Sequence, residues 1–313
     1  MTLSGIETDL GEYRLLERIA VGGMAEVYLA EAKDPEKHGG AGQVVVKRLL
    51  PNHRADKAYV ELFLDEARLS VKLRHPNIVR TFKAFKKGLD YYMIQEYVDG
   101  GSLESVLLRL KARRLRLPPQ ATVAVMVGLL KALDYVHRAR LGEQHVALVH
   151  RDVNPGNILV SRAGVVKLTD FGVAEGEGLG AKRVHGALRG TPPYMAPEQV
   201  RGKRVDPRTD LFSAGIVFWE LLTGRDLFRA EAEYETLRKV VEHEAAPPSV
   251  YASRLPEAFD TIVARALAKD PEKRFRSASH FGRDLVLASK AFGWGTGDSE
   301  LLGQAVTHAL GHR

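Results

Sequence analysis

From about Tyr13 to Ile94 the apolar residues fall in short runs that read as strands. Leu15, Ile19, Val27 and Leu29 flank a glycine-containing turn, and Val44-Val45-Val46 is a β-branched run suited to a half-buried strand. One helix interrupts them, roughly from Asp56 to Leu73, because Tyr59, Phe63, Ala67 and Val71 recur at helical spacing and Pro76 marks the exit. After Asp99-Gly100-Gly101 the pattern changes. Pro118-Pro119 introduces a long helix in which Val123, Met126, Leu130, Leu133 and Val136 follow a 3.6-residue period. Helices dominate from there to about Ala291. Leu211 to Leu222 is the most apolar stretch, but it is short, bracketed by Asp210 and interrupted by Glu220, so it predicts a buried helix and not a membrane span. The tail from Phe292 to Arg313 is glycine-rich with one helical patch, Leu301 to Leu310, either a packed cap or the start of a linker. The expectation is an α+β chain with two lobes, the first β-rich and the second mainly helical.

Composition narrows the function. A chain of 313 residues, 45% apolar and 27% charged, has material for one large two-lobed domain or two ordinary ones. A net charge of +7 favours anionic ligands, yet no aromatic–basic interleaving or nucleic-acid motif accompanies it, so nucleic acid is not expected as a partner. The absence of cysteine excludes disulfides and thiolate metal sites and suits a reducing cytoplasm. Met1 to Gly11 has neither a basic start nor an apolar stretch, so no signal peptide is visible. His38, His53, His137, His145 and His185 form no ligand spacing and are read as ordinary surface or core residues.

The chemistry concentrates in His150-Arg151-Asp152-Val153-Asn154-Pro155-Gly156-Asn157 and Asp170-Phe171-Gly172. A carboxylate such as Asp152 can orient a nucleophilic hydroxyl, while the amide oxygen of Asn157 and the carboxylate of Asp170 can each hold Mg²⁺. Further strings stand in order along the chain: Lys47 at the end of a strand, Glu66 nine residues before His75-Pro76-Asn77, Gly190-Thr191-Pro192-Pro193-Tyr194-Met195-Ala196-Pro197-Glu198, and Lys269-Asp270-Pro271-Glu272-Lys273-Arg274.

With these motifs the chain resembles the eukaryotic-type protein Ser/Thr kinase family, particularly its bacterial branch. The resemblance covers about residues 11 to 290 and implies a bilobal kinase fold, with an N-lobe at 11–98, a C-lobe at 99–291 and a tail at 292–313. It implies transfer of the γ-phosphoryl group of Mg-ATP to Ser/Thr hydroxyls of protein substrates, with Mn²⁺ as an alternative metal. Asp152 would be the catalytic carboxylate, Glu66 would clamp Lys47 onto the α- and β-phosphates, and Asn157 and Asp170 would be the metal ligands. Thr191 would contact Asp152 and help select the acceptor. Ala20, Gly22, Gly23 and Val27 would belong to the phosphate-covering turn. Backbone groups of Glu96 and Val98 would bind adenine, with Gln95 guarding the back of the pocket, Val45 as its roof and Leu159 as its floor. Arg274 would pair with Glu198, and Asp210 would brace the catalytic loop.

Several positions depart from the family pattern. Ala20 and Ala25 replace the outer two glycines of the turn, and a positive φ at either would cost about 1–2 kcal/mol. Asn154 stands where lysine usually touches the γ-phosphate; an amide there can donate a hydrogen bond but carries no charge. Ser70 replaces an apolar residue expected to stack on Phe171 and His150, which invites control by a regulatory partner or by homodimerisation. Between Phe171 and Arg189 there is no Ser, Thr or Tyr, so a phosphorylation switch inside that segment is not expected, Thr191 and Tyr194 being the nearest hydroxyls. Glu175 and Glu177 could supply fixed carboxylates to Arg151, or simply be solvated. These departures leave a second reading open, a pseudokinase or weakly active scaffold. A small-molecule phosphotransferase is disfavoured by Arg151 beside Asp152, the Asp-Phe-Gly string and the Ala196-Pro197-Glu198 anchor, which resemble a peptide platform.

Overall fold

The computed structural model describes residues 8–139, 148–171, 190–252 and 254–311. Gly172, Glu175, Glu177, His145, His185 and the whole 172–189 stretch lie outside the described residues. The chain divides into two compact units. Among the described residues the first contains 8–75 and 79–98, and the second contains 76–78 and those from 99 onward. The fold is α+β, with a sheet-based first unit and a helical second one.

In the first unit five antiparallel strands, β1 (Tyr13–Val21), β2 (Ala25–Ala32), β3 (Gln43–Leu49), β4 (Thr81–Lys87) and β5 (Asp90–Glu96), lie in the order β1-β2-β3-β5-β4. Side chains alternate across a strand, so register decides which residues share a face. On one face Tyr28, Ala30, Val44, Val46, Tyr92 and Ile94 form a core with Tyr13 and Leu15. On the other, Ala25, Leu49 and Met93 pack with Phe63 and Ala67 of helix α1 (Lys57–Ser70). Val27 pairs with Lys47 and Lys47 with Met93, while Val45 pairs with Gln95 and Ala20 with Val27. Ala20, Val27, Val45, Lys47 and Gln95 therefore occupy the sheet face that α1 covers. The helix starts where Asp56 accepts the Ala58 N–H at 2.9 Å, an N-cap. Its buried stripe is Phe63, Glu66, Ala67 and Ser70, while Tyr59 and Val71 are only half-buried.

The second unit is built around α3 (Pro119–His137), whose Val123, Met126, Leu130, Leu133 and Val136 are all buried. It packs against α5 (Pro207–Thr223), α8 (Ala278–Ala291), α9 (Ser299–Leu310) and β8 (Val166–Leu168). Gly128 is required at the β8 crossing, because a Cβ there would stand 2.6 Å from Val166 Cβ. With β6 (Gly100–Ser102) and β7 (Ile158–Ser161), β8 makes a small antiparallel sheet in the order β6-β7-β8. The helices α2 (Leu103–Ala112), α4 (Pro197–Val200), α6 (Glu233–Glu242) and α7 (Glu257–Ala266) complete the unit. Helix α5 is buried all round, as its apolar composition predicts, and no helix among the described residues is long and apolar enough to cross a membrane. The tail helix α9 is packed, with Leu302, Val306 and Ala309 buried against the α2–α3 side.

Candidate active site

The first unit holds a buried, paired cation. Lys47, at the β3 position facing α1, donates from Nζ to Glu66 Oε1 at 2.7 Å, and the two side chains are only 10% and 1% exposed. A charge-assisted bond at that burial fixes the ammonium instead of leaving it to sweep through solvent. The glycine-containing turn closes through Gly22 N–H to Ala25 C=O at 2.8 Å. His53 Nε2 donates to Gly23 C=O at 3.1 Å while its ring stacks on Tyr59 with centroids 3.8 Å apart. Neither Ala20 nor Ala25 has a positive φ, so the strain allowed for in the sequence does not arise. Ala25 instead points into the α1-side core. Gln95 is buried and donates to Thr81 Oγ1 at 3.3 Å. The Glu96 N–H donates to Arg80 C=O at 2.8 Å and its carboxylate accepts the Arg80 N–H, which ties the end of β5 to the residue before β4. Val27, Val45 and Val98 are half-buried.

The second unit holds a cluster of carboxylates of its own. Asp210, at the start of α5 and fully buried, accepts from the backbone N–H groups of His150 and Arg151 at 2.8 Å each, and from His137 Nε2 at 2.8 Å. Burial pushes its pKa up, but the hydrogen bond from His137 and those from the loop outweigh it and hold the carboxyl below its ordinary value. His150 donates from Nε2 to Thr169 C=O, accepts the Asp152 N–H at Nδ1, and stands edge-on to Phe171 with centroids 4.9 Å apart. Arg151 and Asp170 are held at positive φ, +67° and +59°, a left-handed conformation that costs energy away from glycine and persists where surroundings enforce it.

This brace presents Asp152. Its Oδ1 accepts both the N–H and the hydroxyl of Thr191 at 2.8 Å, and its Oδ2 accepts Asn157 Nδ2 at 2.9 Å. Asn157 Nδ2 also donates to the Asp152 carbonyl at 2.9 Å, which commits the amide nitrogen and turns its oxygen away. The Thr169 N–H donates to Asn157 C=O at 3.0 Å, so Asp170 follows directly on a residue tied to Asn157. Two hard oxygen donors, one amide and one carboxylate, fit a small divalent cation that keeps its own waters. Leu159, half-buried in β7, pairs with Ser102 and Lys167.

Asn154, the uncharged donor that stands in place of lysine, has partners within the protein. Its amide nitrogen donates to Asp152 C=O and to Thr191 Oγ1, both at 3.1 Å, and its oxygen caps the 3₁₀ turn Pro155–Asn157 through Gly156 and Asn157 N–H. Below the loop, Arg274 makes two parallel bonds to Glu198, at 2.7 and 2.8 Å, in a buried pair that Thr209 also joins.

His137, read as ordinary, and Glu220, read only as an interruption of an apolar stretch, both have partners here. His137 ends α3 and holds Asp210 across 73 residues of sequence. Glu220 accepts the Tyr194 hydroxyl at 2.7 Å and the Leu227 N–H at 3.0 Å, and burial raises its pKa to about 7. Tyr194 is buried at 8% exposure, so a kinase could reach its hydroxyl only after this contact opened. A lone histidine at a helix end gives no sequence signal of such a partner; a single glutamate inside an otherwise apolar helix does.

A family model described as "Protein kinase domain" matches residues 13–284. The chain is 36% identical over 277 residues to the tyrosine-protein kinase MasK of Myxococcus xanthus, covering 88% of this chain and 42% of that protein. It is 35% identical over 288 residues to the serine/threonine-protein kinase PksC of Streptomyces coelicolor, covering 90% and 50%. Against the serine/threonine-protein kinase PrkC of Bacillus subtilis it is 31% identical over 281 residues, covering 90% and 41%. The chain thus spans half or less of the length of these three relatives. A match over most of its length, to a family whose motif strings stand here in order, means that this chain belongs to the bacterial branch of the eukaryotic-type protein kinases.

Proposed function

We propose that the chain is a protein serine/threonine kinase that transfers the γ-phosphoryl group of Mg-ATP to hydroxyls of protein substrates. The observation that carries this reading is Asp152. Three donors hold its carboxylate, filling Oδ1 and leaving acceptor capacity on Oδ2 among the described residues. That oxygen can take the hydrogen bond, and then the proton, of an acceptor hydroxyl. The acceptor oxygen forms a bond to Pγ as the bond from Pγ to the departing ADP oxygen breaks. Lys47, held by Glu66, is assigned to the α- and β-phosphates. Asn157 and Asp170 would hold Mg²⁺, which would supply positive charge to offset the negative charge developing on the phosphates. Ala20, Gly22, Gly23 and Val27 are assigned to the phosphate side, and Val45, Gln95, Glu96, Val98 and Leu159 to the adenine side.

The same reading takes 11–98 and 99–291 as the two lobes of one catalytic domain with 292–313 as its tail, and places it in the cytoplasm, where a chain without cysteine has no disulfide to lose. Thr191, donating to Asp152, supports serine and threonine as acceptors, in line with the names of PksC and PrkC; MasK is named a tyrosine kinase. Radiolabelled ATP with a generic acceptor, followed by phosphoamino-acid analysis, tests both points. Label in phosphoserine and phosphothreonine that Asp152→Asn abolishes supports the reading; label confined to phosphotyrosine overturns the acceptor class. The scaffold alternative is favoured by one observation, the missing cation at Asn154. It would show as a nucleotide-dependent thermal shift with no transfer to any acceptor.

A further inference from the structure

Asn154 has the hydrogen-bonding capacity of any amide, two N–H donors and an oxygen with two lone pairs. All of it is spent on the loop itself and on Thr191. The donors go to Asp152 C=O and Thr191 Oγ1, and the oxygen accepts from Gly156 and Asn157. The side chain is buried, at 7% exposure for the residue. Its local sequence serves the same end: Pro155 has no N–H to satisfy, and a Cβ on Gly156 would come within 2.9 Å of Asn154 Oδ1.

The bond to Thr191 has a directional consequence. Because Thr191 Oγ1 accepts a hydrogen bond from Asn154, its own hydroxyl hydrogen is turned to Asp152 Oδ1, where the 2.8 Å contact stands. With the Thr191 N–H also on Oδ1, that oxygen is filled and Oδ2 is the one able to meet an acceptor. We infer that Asn154 is a positioning residue: it latches Thr191 onto Asp152, thereby selecting the carboxylate oxygen that works, and gives no donor to the γ-phosphate. The inference rests on the phosphotransfer reading for its catalytic half and on geometry alone for the latch itself.

A double-mutant cycle separates the two. Asn154→Ala, Thr191→Val and the double variant of the full chain are compared for urea unfolding and for kcat with Mg-ATP and a protein acceptor. The latch requires that the two single losses fail to add in both measurements. It also requires kcat to fall by about 10²-fold, the scale of a misplaced reacting group. Thr191→Ser, which keeps the hydroxyl, should retain the coupling to Asn154. Gly156→Ala, which crowds the amide oxygen from the other side, should lower kcat in the same direction. The ratio of ATP to ADP affinity should be the same in Asn154→Ala as in the parent chain. A selective loss of ATP affinity, or losses that simply add, overturns the latch. If the parent chain transfers no phosphate but the unfolding cycle still shows coupling, the latch stands and the kinase reading falls; with no coupling in unfolding the latch falls whatever the activity.

Discussion

Arg274 reaches Glu198 with both terminal nitrogens and also donates to the carbonyls of Arg208, Lys269 and Ala268. Removing one half of so buried a pair strands the other charge, so Arg274→Ala is expected to cost about 3–5 kcal/mol in urea unfolding. Arg274→Lys should recover little, because an ammonium cannot reproduce the planar fork. Glu220 makes stability depend on pH. Its folded pKa of about 7 lies above the ordinary 4.5, so between those values the native state binds more protons than the unfolded chain. Stability from this group is fully present below about 4.5 and is lost as pH rises through about 7. Glu220→Gln removes that dependence. Its stability relative to the parent should climb by up to about 1.4 kcal/mol per pH unit across the window and level off above it, read from urea midpoints at several pH values. A flat difference would mean that the buried carboxyl does not titrate there.

At the scale of elements, much of the structure was legible because period and burial agree. The apolar positions of α3 recur with the helical period and are all buried, and Pro118-Pro119 marks its start. Helix α1 was legible as a helix from its period, but its inward Glu66 was legible only through the motif resemblance, since a hydrophobic period cannot announce a buried carboxylate whose partner sits 19 residues away on β3. The His137–Asp210 contact was illegible for the same reason, since only packing of α3 on α5 creates it. For Asn154 the sequence showed an uncharged donor in place of lysine but not its partners, Asp152 C=O and Thr191 Oγ1, because residue type gives a side chain's capacity and not where that capacity is spent. Helix α9 shows what local signals omit. Its start is readable in Asp298, which accepts the Leu301 N–H at 2.8 Å, but its docking depends on Gly303, where a Cβ would stand 2.4 Å from Arg162 O. Alanine has a helix propensity about 1 kcal/mol better than glycine, yet Gly303→Ala is expected to destabilise, by about 1–3 kcal/mol, because backbone must move aside. Asp298→Ala should cost about 1 kcal/mol through the lost cap. Melting temperatures of both variants check the pair; a Gly303→Ala chain that melts higher than the parent would show that α9 is not held at this crossing.

For the whole molecule, the question is whether nucleotide capture and phosphoryl transfer can be pulled apart. Any ligand that binds only the folded chain stabilises it by RT ln(1 + [L]/Kd), about 2.7 kcal/mol at a hundredfold excess over Kd. Asp152 is assigned to the acceptor hydroxyl and not to the phosphates, so Asp152→Asn should keep the Mg-ATP thermal shift while losing transfer. Lys47 is assigned to the phosphates, so Lys47→Met should lose the shift. That variant also leaves the buried Glu66 without its 2.7 Å partner and is expected to melt lower by itself. The informative quantity is therefore the difference between melting with and without Mg-ATP, measured for each variant against its own ligand-free state. If Lys47→Met retained the full nucleotide-dependent increment, the Lys47–Glu66 pair would be structural only, and the phosphate contact would have to be sought in other cations.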